Sequence, residues 1–138
     1  PTEKVPGNVT HVTMNDNVYI VHSNAFKNCW ALQSIIMNDE VVTIGPNAFH
    51  SCVSLKFVRL SRRLRSIGKQ AFAHCWSLEA LFLPPTMEQI GDHAFLNCTP
   101  LRIIRLPVGT MNMNAHSEVA VGVGIGVGVE VPVPVAVD

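Results

Sequence analysis

The chain has 138 residues, 48% of them hydrophobic and only 7% aromatic, with ten Lys plus Arg against ten Asp plus Glu. This length suits one domain, and the even charge balance removes any global pull towards nucleic acid or an anionic membrane. No charged-then-apolar leader opens the chain, and Pro1 reads as the start of an excerpt or of a processed protein.

Residues 1–8 are polar with two prolines and read as a loose lead-in. Val9, Val12, Met14, Val18 and Val21 then fall on the phases later taken by Leu32, Ile35, Met37, Val41 and Ile44, which marks a degenerate first coil of a repeat. From residue 22 the pattern becomes strict. Ala-Phe recurs at Ala25-Phe26, Ala48-Phe49, Ala71-Phe72 and Ala94-Phe95, always 23 residues apart, and Cys29, Cys52, Cys75 and Cys98 keep the same interval. Leu32, Leu55, Leu78 and Leu101 share one phase, with Ile35, Val58, Leu81 and Ile104 three residues on and Met37, Leu60, Leu83 and Leu106 two further. A fixed period in the range of about 20–29 residues with apolar positions at fixed phases is the mark of a stacked solenoid.

Within one coil, the alternation at the end of Leu-x-x-Ile-x-Leu predicts a strand with one face inward. A second apolar pair follows, for example Val41 and Ile44, and then Gly45, Gly68 or Gly91, where a positive φ is expected to let the chain turn. Ala-Phe-x-x-Cys is expected to carry the chain back as a short helical or 3₁₀ turn. Ordering 23 residues costs on the order of 1–2 kcal/mol per residue in backbone entropy. About seven buried side chains at roughly 1.5–3 kcal/mol each do not offset that cost. One coil cannot fold alone, but several stacked coils can.

The array is expected to span 9–114 as the degenerate coil and about four more. Past Leu106 the phases fail, with Thr110 at an apolar position and Ser117-Glu118 in place of Ala-Phe. Residues 115–138 turn into a Val/Gly/Pro-rich sequence that reads as a low-complexity tail, because glycine and proline at alternate positions weaken strand pairing. A strand added to the last coil and a membrane or assembly segment are the alternatives. Glu130, Pro132 and Pro134 argue against a transmembrane helix.

The stretch from Leu78 through Leu81, Leu83, Pro84, Met87, Ile90, Gly91, Ala94 and Phe95 to Cys98 resembles, position by position, the unit of the BspA-like class of leucine-rich repeats. The resemblance covers roughly residues 9 to 113. The expected fold is thus an α/β leucine-rich-repeat solenoid with a parallel β-sheet face and short helical or 3₁₀ turns between strands. Three positions depart from the unit: Asn38 and Ser61 replace the prolines found at 84 and 107, and His22 stands where the glycine belongs.

No residue pattern points to catalysis, a cofactor or a metal. The cysteines are evenly dispersed rather than in close pairs, so they read as a buried vertical ladder, with cross-linking between neighbours left open. His50 and His74 are placed to approach on adjacent coils, without a carboxylate beside them. Trp30 and Trp76 share the phase after cysteine and read as packing residues at the rim. The basic run 56–65 suggests nucleic acid, but the repeat places Asp39 beside Arg62, Glu40 beside Arg63, Glu88 beside Arg65, and Glu79 between Lys56 and Arg102. Asn8-Val9-Thr10 and Asn97-Cys98-Thr99 match the N-glycosylation acceptor, which matters only in a secreted chain.

The outward strand positions remain. They form two ladders, Ile36-Arg59-Phe82-Arg105 and Ser34-Phe57-Ala80-Ile103, and Ile36, Phe57, Phe82 and Ile103 are apolar where water alone would favour polar residues. Phe82 is expected to stack between Arg59 and Arg105. Cross-strand stabilisation of the sheet is one account of these residues. The other is a protein-binding patch of Ile36, Phe57, Arg59, Phe82, Ile103 and Arg105, since aromatics with arginine are typical of interface anchors. The function expected is a non-enzymatic protein-interaction module with no nucleic-acid partner and no membrane span; the alternative is a structural spacer or a fragment of a longer array. Proteins it resembles include bacterial surface adhesins and protist surface proteins, so the resemblance implies surface adhesion or recognition.

Overall fold

Each coil supplies two strands, one from its Leu-x-x-Ile-x-Leu segment and one of two residues ending just before the glycine position. The computed structural model describes residues 5–105 and 128–130. The front strands are β1 (His11–Thr13), β3 (Ser34–Ile36), β5 (Phe57–Arg59), β7 (Ala80–Leu83) and β9 (Arg102–Arg105). The back strands are β2 (Ile20–Val21), β4 (Thr43–Ile44), β6 (Ser66–Ile67) and β8 (Gln89–Ile90). All pairings are parallel, and the chain winds as a β-solenoid of about four turns.

The back sheet runs without interruption as β2-β4-β6-β8, each step 23 residues in register. The front strands fall into two groups, β1-β3-β5 and β7-β9 followed by β10 (Gly128–Glu130). β10 belongs to the stretch expected as a tail and lies parallel to β9; the rest of 115–138 is outside the described residues. No helix among the described residues is long and apolar enough to cross a membrane.

The core is a set of columns. Phe26, Phe49, Phe72 and Phe95 stack with ring centroids 5.0, 5.0 and 5.6 Å apart and planes within 10° of parallel, inside the range in which aromatic pairs attract beyond simple burial. The four cysteines are buried thiols, none of them in a disulfide. Cys52, Cys75 and Cys98 each donate S–H to the carbonyl of the phenylalanine one coil below, at 3.1, 3.2 and 3.0 Å. A small residue with a weak donor therefore fills this step and supplies a further partner for a buried carbonyl.

The expected helical or 3₁₀ turns do not form: no helix occurs among the described residues. Two left-handed columns prevent it. Asn24, Asn47, Gln70 and His93 have φ between 53° and 63°, and Asn28, Ser51, His74 and Asn97 between 58° and 64°. A residue at positive φ every fourth position interrupts any right-handed helical run. The N–H groups also alternate in direction. Ala25, Lys27 and Cys29 donate three residues back within their coil, while Asn24, Phe26 and Asn28 donate to Pro46, Ala48 and His50 of the next. A helix would need both sets for itself, so stacking and helix formation compete for the same donors.

The glycines are needed for a different reason than expected. None of Gly45, Gly68 and Gly91 has a left-handed φ. A Cβ at Gly68 would lie 2.6 Å from the Pro46 nitrogen, and one at Gly91 2.5 Å from the Lys69 nitrogen, both backbone atoms of the coil beneath. Glycine is there because two backbones touch. His22 tolerates a side chain at the same step because it is exposed on the first described coil, with no described backbone beneath it. The proline replacements are also explained. Asn38 accepts from the Glu40 N–H and donates to the carbonyls of Asn15 and Val18, and Ser61 accepts from the Arg63 N–H at 3.0 Å. Buried side-chain bonds hold these turns where proline's fixed φ would otherwise do so.

Candidate interaction surface

The front strands are short and alternate inward and outward, so each presents two side chains to solvent. On the outer face Ile36, Phe57 and Phe82 are 38%, 53% and 41% exposed. Their backbones are held by the parallel ladder: Ser34 pairs with Phe57, and Ile36 with Arg59. The face extends further towards the N-terminus than the ladders read from sequence, since His11 and Thr13 on β1 align with Ser34 and Ile36, and His11 Nδ1 lies 2.7 Å from Ser34 Oγ.

Two of the six expected site residues require correction or qualification. Ile103 is fully buried, not outward. β9 is slipped by one residue against β7, so Leu81 aligns with Ile103 and Phe82 with Ile104, an offset of 22 rather than 23. Two adjacent isoleucines allow this: either can face inward, and a one-residue slip exchanges the faces of a strand. Arg105 consequently aligns with Leu83 instead of flanking Phe82; its side chain lies outside the described residues. Beside the slip is a shallow depression of about 330 Å³ lined by Glu79, Ala80, Pro100, Arg102 and Ile104.

Arg59 is on the face but is not given over to Phe82. Its guanidinium grips Asp39 at 3.2 and 3.3 Å and donates to the Met37 carbonyl at 2.7 Å. A forked carboxylate pair with a carbonyl is a stronger claim on a guanidinium than an exposed ring. The cross-coil pairs read from the sequence form at Arg62–Asp39 (3.8 Å), Arg63–Glu40 (2.8 Å) and Arg65–Glu88 (3.3 Å). Glu79 and Lys56 do not close an ion pair. Desolvation raises the Asp39 carboxyl, but the Arg62 N–H and the two guanidiniums outweigh it and hold the group below its usual value. The basic run is thus largely neutralised in place.

The corner that joins the back strands to the front strands carries the remaining polar groups. His50 and His74 meet edge to face at 5.1 Å, with His50 Nδ1 2.9 Å from Ser51 Oγ and His74 Nδ1 3.0 Å from Asn97 Nδ2. Partial burial lowers the His50 pKa, aided by His74 and Lys27. No group of three or more metal-ligating side chains occurs among the described residues. Burial pushes the Cys52 thiol up to about 12 and holds Cys75 well above its usual value, so neither is a ready nucleophile. Both acceptor-motif asparagines, Asn8 and Asn97, are exposed. Trp30 and Trp76 are each 58% exposed at this corner, and the edge of the Trp30 indole lies against Gly7, where an added Cβ would sit 3.4 Å from its Nε1.

Residues 5–118 match the BspA type leucine-rich repeat region in six copies. Among solved structures the chain is similar to a leucine-rich cell surface protein from Faecalibacterium prausnitzii, with 31% identity and a TM-score of 0.70 over 75% of this chain. It is also similar to a leucine-rich repeat protein of T. pallidum (25% identity, TM-score 0.58, 73% of this chain) and to one from Bacteroides capillosus (27%, 0.56, 72%). The chain spans 30%, 61% and 74% of the lengths of those three proteins. No curated protein sequence matches it.

Proposed function

Since the chain belongs to the BspA-type leucine-rich repeat family, whose repeats are generally protein-interaction modules rather than enzymes, we propose that it binds a protein partner through the outer face of its front sheet, at a cell surface. Ile36, Phe57 and Phe82 are the anchors, and Arg59, held by Asp39, supplies an oriented polar rim. One observation carries the reading: three large apolar side chains stand exposed on the front sheet where each could have been polar at no cost to the core. The cell-surface location rests on the F. prausnitzii relative, which is described as a cell surface protein.

The test is a Phe57→Ser/Phe82→Ser variant. Its thermal transition should stay close to that of the parent, since exposed substitutions shift stability by about 0.5 kcal/mol or less. Binding to a matrix protein captured by the parent and then purified should weaken by roughly thirtyfold or more, the scale of losing a 2 kcal/mol anchor. Equal affinity of parent and variant would remove this face from consideration. A second reading, a spacer within a longer array, is favoured by the chain's spanning only 30% of the F. prausnitzii protein's length.

A further inference from the structure

Trp30 and Trp76 occupy the same step of the repeat two coils apart, and each is 58% exposed. Half-buried Val53 takes the step between them and leaves it low. Coils stack at the strand separation of about 4.8 Å, so the backbone positions of the two tryptophans are about 10 Å apart along the solenoid axis. They belong to the corner before each front strand, apart from the outer sheet face.

The surroundings define the ligand chemistry. The column two residues earlier, Asn28, Ser51, His74 and Asn97, offers amide, hydroxyl and imidazole groups, all in the left-handed backbone conformation. The column one residue later adds Ser54 and Ser77. Neither column holds a carboxylate, a lysine or an arginine. An anionic peptide or a nucleic acid would find no counter-charge on these columns. A stiff polymer with apolar ring faces and hydroxylated edges fits instead. In a β-1,4-linked pyranose chain the same ring face recurs every second sugar, a disaccharide length that matches two coil steps. We infer that Trp30 and Trp76 form a binding site for an extended, uncharged β-1,4-linked glycan, each indole stacking on a sugar face while the amide and hydroxyl column meets the chain's edge.

The test uses the whole chain in native gels cast with hydroxyethylcellulose, together with tryptophan-fluorescence titrations with cellohexaose, chitohexaose and cellobiose. The parent should be retarded in the gel, and at least one hexasaccharide should quench its fluorescence. Trp30→Ala or Trp76→Ala should each weaken binding about tenfold, the scale of one stacked ring, and the double variant should migrate as in a glycan-free gel. Cellobiose, too short to reach both indoles, should bind at least about tenfold more weakly than cellohexaose. Phe57→Ser/Phe82→Ser should be retarded like the parent, which separates this site from the outer face. No retardation with no quenching by either hexasaccharide, or retardation that survives the double tryptophan variant, would overturn the proposal.

Discussion

The back sheet and the front sheet are built from the same repeat yet differ in how firmly they are fixed. At the back, every step keeps its 23-residue register and the ladder runs unbroken through four strands. At the front, the ladder is divided after β5 and β9 is displaced by one residue. The back coils are in backbone contact at the glycines, where no side chain fits, so there is one way to stack them. The front strands are joined by a backbone ladder alone and carry side chains on both faces, several of them apolar, so they tolerate more than one alignment. In this molecule the rigid side sets the spacing, and the permissive side carries the variable outward residues.

The contrast can be broken most forcefully from within. Phe72→Ala removes a ring stacked on both sides and should cost about 3–5 kcal/mol, read as a fall in the urea midpoint. Gly68→Ala drives a methyl into the backbone of the coil below and should cost about 1–3 kcal/mol, whereas His22→Ala, at the same step of the first described coil, should stay within about 0.5 kcal/mol. Equal losses at residues 22 and 68 would refute the account of backbone contact.

The smallest effect is electrostatic. The His50 pKa is lower in the folded chain than its ordinary value of 6.5. The unfolded chain therefore binds more protons just below that value, and stability should decline as pH falls through it until the folded-state pKa is reached. His50→Gln should flatten this part of the stability profile; an unchanged slope would show that the imidazole pair does not contribute to it.

Much of this was legible in the sequence because the repeat itself encodes proximity. Columns of phenylalanine and cysteine, and ion pairs such as Arg63–Glu40, follow from adding 23 to a residue number. What failed to follow were choices between partners. Nothing in Ala-Phe-x-x-Cys says that alternate N–H groups go to the next coil, although asparagine at positions 24, 28, 47 and 97 is a hint of left-handed backbone. The repeat assigns Asp39 to Arg62 and leaves Arg59 to Phe82, yet Asp39 holds both guanidiniums. At Ile103-Ile104 the inward residue was ambiguous by composition, and the strand settled one step from the periodic choice. The second sheet was hidden because strands of two residues leave no alternation to read.

The alternating amides of the corner also give the solenoid a polarity. Asn24, Phe26 and Asn28, then Asn47, Phe49 and Ser51, then Gln70, Phe72 and His74 all donate towards the higher-numbered coil, and none of these bonds runs in reverse. Two such arrays brought together by like ends would oppose donor to donor or acceptor to acceptor along this edge. Only a head-to-tail junction would continue the ladder, and a contact of that kind extends into rings or filaments rather than closing as a two-fold pair.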